Sequence, residues 1–368
     1  MFIGWITGVS RIRRLTNWPK IMALAALEIP VSSQNASIGS KKTFSPLWCR
    51  SPMQNSPHIH TAYGKENTME YLLRSILFVP ANNEKFIVKA GNCEADALIF
   101  DMEDAVPPQE EAKARILLDR YLGMDMFAGK QLFIRVNRLG TDSLPADMEL
   151  LKHGNISGII LPKINTAEDV CQFDSLLTKQ EIKNSYPAGK LKMLPLIETA
   201  AAVMHVREIA GCNGRIIALL FGGEDFLDSV GGEHLEPPQA FDAPRSMVVM
   251  AARMNGILPI DTPYPDLENR EGFIAEETKA RASGFAGVLL VTPNQIPWAH
   301  TCFSPAKEEI EYAEAVINAV NEAKNAGRSV AKLNGKMIGP PMQKRAEKVL
   351  ALGELIRSKE DNGAGKDR

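Results

Sequence analysis

A closed (β/α)8 barrel carrying a helical extension at its C-terminal end is the α/β architecture that this sequence predicts, and three observations predict it. From Tyr71 onward, short β-rich runs alternate regularly with longer amphipathic segments. The runs are apolar along their whole length, the pattern of strands buried on both faces of a parallel sheet. Most of them stop abruptly at ionisable or polar residues, at the strand ends where barrels and doubly wound sheets build their sites. An open doubly wound sheet is the competing architecture, but no Gly-x-Gly-x-x-Gly turn follows the first strand. The sequence therefore divides into a segment 1–70, a TIM barrel over 71–300, a helical extension over 301–358 and a tail over 359–368.

The first strand is Ser75 to Val79, and Asn83 to Cys93 is a helix. Ala97 to Phe100 is the second strand, ending in Asp101-Met102-Glu103-Asp104. The helix Gln109 to Tyr121 follows, opened by Pro107-Pro108 with acids in its first turn. The third strand, Gln131 to Val136, ends at Arg135 and Asn137. The fourth, Gly158 to Leu161, runs into Pro162-Lys163 and a helix capped at Asn165 or Thr166. The fifth, Met193 to Ile197, delivers Glu198, and a helix spans Ala200 to Ala210. The sixth, Ile216 to Phe221, stops at Gly222-Gly223-Glu224-Asp225. A helix from Gln239 to Asn255 ends at Gly256, and the short seventh strand is Leu258 to Asp261. The helix Glu271 to Ser283 leads to the eighth strand, Gly287 to Val291, closed by Thr292-Pro293-Asn294-Gln295. Beyond it, Ala306 to Ala326 and Pro341 to Ile356 are amphipathic helices that a closed barrel does not need. They are expected to form a lid, a subunit contact, or both, while the charged tail from Lys359 is expected to be disordered.

Composition narrows the function class. With 45% hydrophobic and 23% charged residues the chain is an ordinary globular protein, and a formal charge of −2 supplies no global field for nucleic acid. No stretch approaches the roughly 20 apolar residues of a membrane span. Cys49, Cys93, Cys171, Cys212 and Cys302 are odd in number and lack zinc-type spacing, so they are taken as reduced thiols of an intracellular protein. The first 65 residues hold eight Lys or Arg against the single acid Glu28. Arg11, Arg13, Arg14 and Lys20 interleave there with Ile12, Leu15, Trp18 and Ile21, the pattern of a mitochondrial presequence; an untargeted tail is the plainer alternative.

The strand ends carry the chemistry. Asp101, Glu103 and Asp104; Arg135; Glu198; Glu224 and Asp225; Asp261; and Thr292 with Asn294 make a carboxylate-rich pocket containing one arginine. Such a set suits a hard divalent ion, Mg²⁺ foremost, held by Glu198 and Asp225 with water and substrate oxygens completing the shell. Arg135 would grip a substrate carboxylate or an enolate oxygen. The plainer reading is that these acids cap helices or pair with Lys163 and Arg135. In the first βα loop, Lys85 and Lys89 share one helix face, which is either solvated or holds the phosphates of a large substrate. None of the six histidines sits at a strand end, so a histidine metal site or a Ser-His triad has no support.

Seven collinear stretches add a resemblance. Arg74-Ser75-x-Leu77-Phe78-Val79-Pro80, Asp101-Met102-Glu103-Asp104-Ala105-Val106, Ile134-Arg135-Val136-Asn137, Leu161-Pro162-Lys163, Ile197-Glu198-Thr199-Ala200, Phe221-Gly222-Gly223-Glu224-Asp225 and Pro293-Asn294-Gln295 resemble the citrate lyase beta-subunit-like family of the HpcH/HpaI aldolases. The match covers about residues 72 to 350. The resemblance implies a Mg²⁺-dependent barrel, a homotrimer in this family, that splits a 3-hydroxyacyl-CoA such as (S)-citramalyl-CoA into acetyl-CoA and a 2-oxo acid, or condenses them. Malyl-CoA cleavage, malate synthase-like condensation, CoA-thioester hydrolysis and a catalytically impaired CoA-ester-binding paralogue are its alternatives. Position by position it implies Glu198 and Asp225 as metal ligands and Arg135 as a substrate and catalytic residue. It also implies Lys85 and Lys89 on the CoA side, with Phe78, Val291 and Thr292 lining the substrate. Three residues depart from the look-alike within that family: Phe78 stands for Tyr, Thr292 for His, and Gly339 for the Asp that follows Gly335-Lys336-Met337-Ile338 in its lid. A glycine cannot transfer a proton.

Overall fold

The computed structural model describes residues 71–233, 235 and 238–364; the expected presequence within 1–70 lies outside the described residues. Eight strands close into a barrel in chain order: β1 (Ser75–Pro80), β2 (Ala97–Asp101), β3 (Gln131–Arg135), β4 (Gly158–Leu161), β5 (Lys192–Ile197), β6 (Ala218–Phe221), β7 (Leu258–Asp261) and β8 (Gly287–Leu290). All neighbours pair in parallel, and β8 returns to β1. The predicted barrel is therefore the observed one.

The helices are α1 (Glu84–Gly91), α2 (Glu111–Leu122), α3 (Leu144–Met148), α4 (Ala167–Lys183), α5 (Ala200–Met204), α6 (Val206–Gly211), α7 (Gly223–Val230), α8 (Asp242–Met254), α9 (Arg270–Ser283), α10 (Ile296–Phe303), α11 (Lys307–Asn325) and α12 (Pro340–Ala364), with a hairpin of β9 (Ala331–Leu333) and β10 (Lys336–Ile338) before the last. Local chemistry sets their ends. Asn83 caps α1 by accepting from the Lys85 and Phe86 N–H groups, and the Asp169 carboxylate accepts from the N–H groups of Asn165 and Thr166 ahead of α4. The single helix expected over Ala200 to Ala210 is broken at His205 into α5 and α6. The short helices α3 and α7 were not among the expected elements. The expected disordered tail is corrected at its start: α12 runs on to Ala364, and Lys359 lies within it.

Period-two alternation divides the strand side chains between two cores. Ile76, Ile99, Phe133, Ile160, Leu194, Leu196, Leu220, Ile260 and Leu289 fill the barrel, and Leu77, Leu98, Phe100, Ile134 and Leu161 face the helices. Each fully buried side chain of this size contributes about 1.5–3 kcal/mol. A third cluster, Ala313, Val316, Val320, Ile338 and Ala346, joins α11, the hairpin and α12.

At the N-terminal end of the barrel the Arg74 guanidinium pairs with Asp96 through Nε and Nη2, both at 2.9 Å, and the Lys359 ammonium reaches the same carboxylate at 2.7 Å. Against the cost of burial, these cations hold the Asp96 carboxyl below its usual range. His300 Nε2 lies 2.8 Å from Ser75 Oγ, and burial together with the charge of Arg74 depresses its pKa to about 4. These charges fix the barrel's base, opposite the strand ends that bear the candidate site.

Candidate active site at the barrel mouth

The same alternation that fills the barrel aims the site. Phe78, Asp101, Arg135 and Glu198 follow the parity of Ile76, Ile99, Phe133 and Leu196, so they continue the interior column into the mouth. Asp261 has the opposite parity. It points into the wall, pairs there with Arg245 Nε at 2.9 Å, and drops out of the expected pocket.

Arg135 is held from one side by Asp101, which accepts from Nε at 2.8 Å and Nη2 at 2.5 Å. Its Nη1 lies 3.2 Å from Glu103 and 3.5 Å from Asp104, and its guanidinium carbon sits 5.0 Å from the centre of the Phe78 ring. Phe78 thus keeps the stacking surface that a tyrosine would offer. The Glu103 Oε2 is within ion-pair range of the arginine but out of hydrogen-bond alignment. Burial, only partly offset by Arg135, raises the Glu103 pKa to about 7.

Glu198 is 1% exposed. Its Oε1 accepts from the Lys163 backbone N–H at 2.6 Å, and its Oε2 has no hydrogen-bond partner among the described residues. Burial dominates here too: the pKa rises to about 8 although the Lys163 charge opposes the rise. Gly222 permits this placement, since a Cβ there would come within 2.6 Å of Glu198 Cβ and 3.1 Å of Oε2. One residue on, α7 begins, and its first turn presents the half-exposed Asp225. Lys163 links the two acids, with Nζ 2.6 Å from Asp225, 3.8 Å from Glu198 and 3.7 Å from Asp104. Arg135, Asp104, Lys163, Asp225 and Glu198 therefore form one connected cluster.

The donor set fits a hard divalent ion. It offers carboxylate oxygens only, one of them buried and without a hydrogen-bond partner among the described residues, and burial disfavours the charged form of that group unless a cation is bound to it. Among the described residues no three His, Cys, Asp or Glu side chains converge as a ready-made metal cage. Two protein carboxylates with water and substrate oxygens are the sparse coordination that Mg²⁺ accepts.

Residues 74–293, more than half of the chain, match the family described as HpcH/HpaI aldolase/citrate lyase. The chain belongs to the HpcH/HpaI aldolase/citrate lyase family. As a member of it the protein is a carbon–carbon lyase. It is 34% identical to the citrate lyase subunit beta of Leuconostoc mesenteroides subsp. cremoris over 77% of this chain and 94% of that one. It is 31% identical to a (3S)-malyl-CoA thioesterase of Cereibacter sphaeroides, over 77% and 95% of the two chains. With the mitochondrial citramalyl-CoA lyase of Rattus norvegicus the identity is 27%, over 78% and 87%. The fold superposes on CitE of Mycobacterium tuberculosis, in a complex with magnesium, acetoacetate and coenzyme A. The TM-score is 0.63 at 26% identity, covering 76% of this chain and 97% of that one.

Of the site residues expected from the family resemblance, Arg135, Glu198, Asp225 and Phe78 lie in or against the cluster. Lys85 and Lys89 are exposed on α1 behind the β1 loop, and Val291 and Thr292 follow β8 at the mouth. The sequence undervalued Lys163 and Glu103. The first looked like a bystander partner for the acids, and nothing in Pro162-Lys163 announced that its N–H would hold Glu198.

Proposed function

We propose that this family member is a Mg²⁺-dependent acyl-CoA lyase that cleaves a 3-hydroxyacyl-CoA, (S)-citramalyl-CoA foremost, into acetyl-CoA and pyruvate, or runs the reverse condensation. The observation that carries this reading is the buried Glu198 with its unpartnered oxygen, gathered with Asp225 and Arg135 at one barrel mouth. Glu198 and Asp225 would hold the ion, which when bound supplies a Lewis acid for the carbonyl and carboxylate of the 2-oxo acid. Arg135, fixed by Asp101 through Nε and Nη2, keeps Nη1 for the substrate carboxylate, which would displace the half-exposed Asp104. Phe78 holds the guanidinium plane from below. Lys85 and Lys89 would meet the CoA phosphates, and Val291 and Thr292 would line the acyl chain. The rat relative's name and the magnesium and coenzyme A of the CitE complex support the same assignment. On the same resemblance we place the protein in mitochondria, as a homotrimer.

Purified protein with Mg²⁺ should release acetyl-CoA from citramalyl-CoA faster than from malyl-CoA or citryl-CoA, and a chelator should stop it. Free CoA in place of acetyl-CoA would mark a thioesterase, the activity named for the Cereibacter relative. No turnover with any of the three would leave a CoA-ester-binding paralogue.

A further inference from the structure

Lys163, between β4 and α4, sits in the left-handed region at φ 49°. A lysine adopts that conformation only where its surroundings over-determine it. Here the turn does two things at once. It aims the backbone N–H at Glu198 Oε1, 2.6 Å away, and it brings the ammonium to 2.6 Å from Asp225 and 3.8 Å from Glu198. The ammonium therefore lies between the two carboxylates assigned above to the metal. On its other side Asp104, more than half exposed, waits at 3.7 Å.

We propose that Lys163 is a built-in counter-ion of the cation site. Its ammonium pairs with Asp225 and lies beside Glu198 while no divalent ion is bound and moves to Asp104 when one binds, and its backbone N–H keeps Glu198 aimed in both states. The inference rests on Glu198 and Asp225 being the metal ligands. An ammonium and a divalent ion repel strongly at this depth, and the four-carbon stem lets the ammonium move without disturbing the backbone bond. Asp104 also lies 3.5 Å from Arg135 Nη1, so a substrate carboxylate that claims Arg135 releases Asp104 for Lys163. Metal and substrate then favour each other's binding.

Lys163→Met keeps the stem and the backbone N–H and removes the charge. Calorimetric titration of the full-length variant should show Mg²⁺ and Mn²⁺ binding tightened by about tenfold or more. Its melting temperature without metal should fall, and the rise on adding metal should exceed that of the wild type. Wild-type protein supplies a measurement that needs no variant. Amine labelling followed by mass spectrometry should modify Lys163 faster with Mg²⁺ than without, with Lys85 and Lys89 unchanged. If the wild type binds metal, Glu198→Ala and Asp225→Ala do not, and none of the three Lys163 readouts moves, the counter-ion role is overturned while the ligands stand. A wild type that binds neither ion overturns both.

Discussion

At Gly222 a single absent atom decides whether the site can form. A methyl there would press on Glu198 Cβ, close to the backbone, where a flexible side-chain tip is not available to yield. Gly222→Ala should therefore displace the Glu198 carboxylate and lower metal-dependent kcat/KM by at least about tenfold, with steady-state kinetics as the check. Wild-type rates would show that β6 and Glu198 can part without loss. Removing either proposed ligand is the sharper cut. Glu198→Ala and Asp225→Ala should abolish Mg²⁺-dependent turnover while circular dichroism shows an intact fold, because burial already disfavours the charged form of Glu198 and Asp225 is half-exposed. Full activity in either variant would remove it from the metal. Arg135→Lys keeps the charge but loses the planar fork that Asp101 orients, and should cost at least about tenfold in kcat/KM; a near-neutral result would make Arg135 a structural ion pair.

At the scale of elements, β7 and α9 show how strand parity sorts function from support. Asp261 was grouped with the mouth acids on its place at a strand end, yet counting in twos from Ile260 puts it in the wall, against Arg245 of α8. Beside it α9 buries Glu277 with neither carboxylate oxygen hydrogen-bonded among the described residues, and burial together with the Asp261 charge raises its pKa well above the usual value of 4.5. Because the folded state holds that proton more tightly than the unfolded chain, the protein is most stable below about pH 4.5 with respect to this group and loses stability as pH rises above it. Glu277→Gln stays neutral throughout, so its melting temperature relative to the wild type should climb from pH 5 to pH 8. A constant difference would show that Glu277 ionises freely. The strands were legible because each is an unbroken apolar run between turn residues, and their ends delivered Glu198, Asp225 and Arg135 directly. The helices α3 and α7 and the β9–β10 hairpin were not. Each is short, opens on or encloses glycine or proline, and is held by contacts with distant elements that local pattern does not carry. The left-handed turn at Lys163 was hidden for the same reason, since its partners, Glu198 after β5 and Asp225 in α7, are brought up from elsewhere in the chain.

For the whole molecule, the question is how the extension beyond the barrel takes part in the reaction. It is anchored rather than loose: Arg281 of α9 pairs with Glu309 of α11, and Lys359 near the end of α12 reaches Asp96 at the barrel base. Between those anchors the hairpin packs through Ile338 on α11, and Gly339 stands between β10 and α12. Family resemblance places an acid/base Asp at that position. The backbone there would accept one, because Gly339 lies outside the left-handed region and an added Cβ would meet only Pro341, at 3.7 Å. A missing acid/base group costs about 10² to 10⁴ in rate. Gly339→Asp should accordingly fold as the wild type does and raise citramalyl-CoA cleavage by at least about tenfold, a fraction of that range. Single-turnover measurement of acetyl-CoA release would read the gain on the chemical step itself. Should the variant fold and gain nothing, the proton must come from a group already at the mouth. Glu103 is then the residue to test, since its pKa near 7 and its place 3.2 Å from Arg135 leave it a proton to exchange at neutral pH. In that case Glu103→Gln should abolish cleavage in the wild type and in Gly339→Asp alike, whereas a working lid aspartate would rescue it.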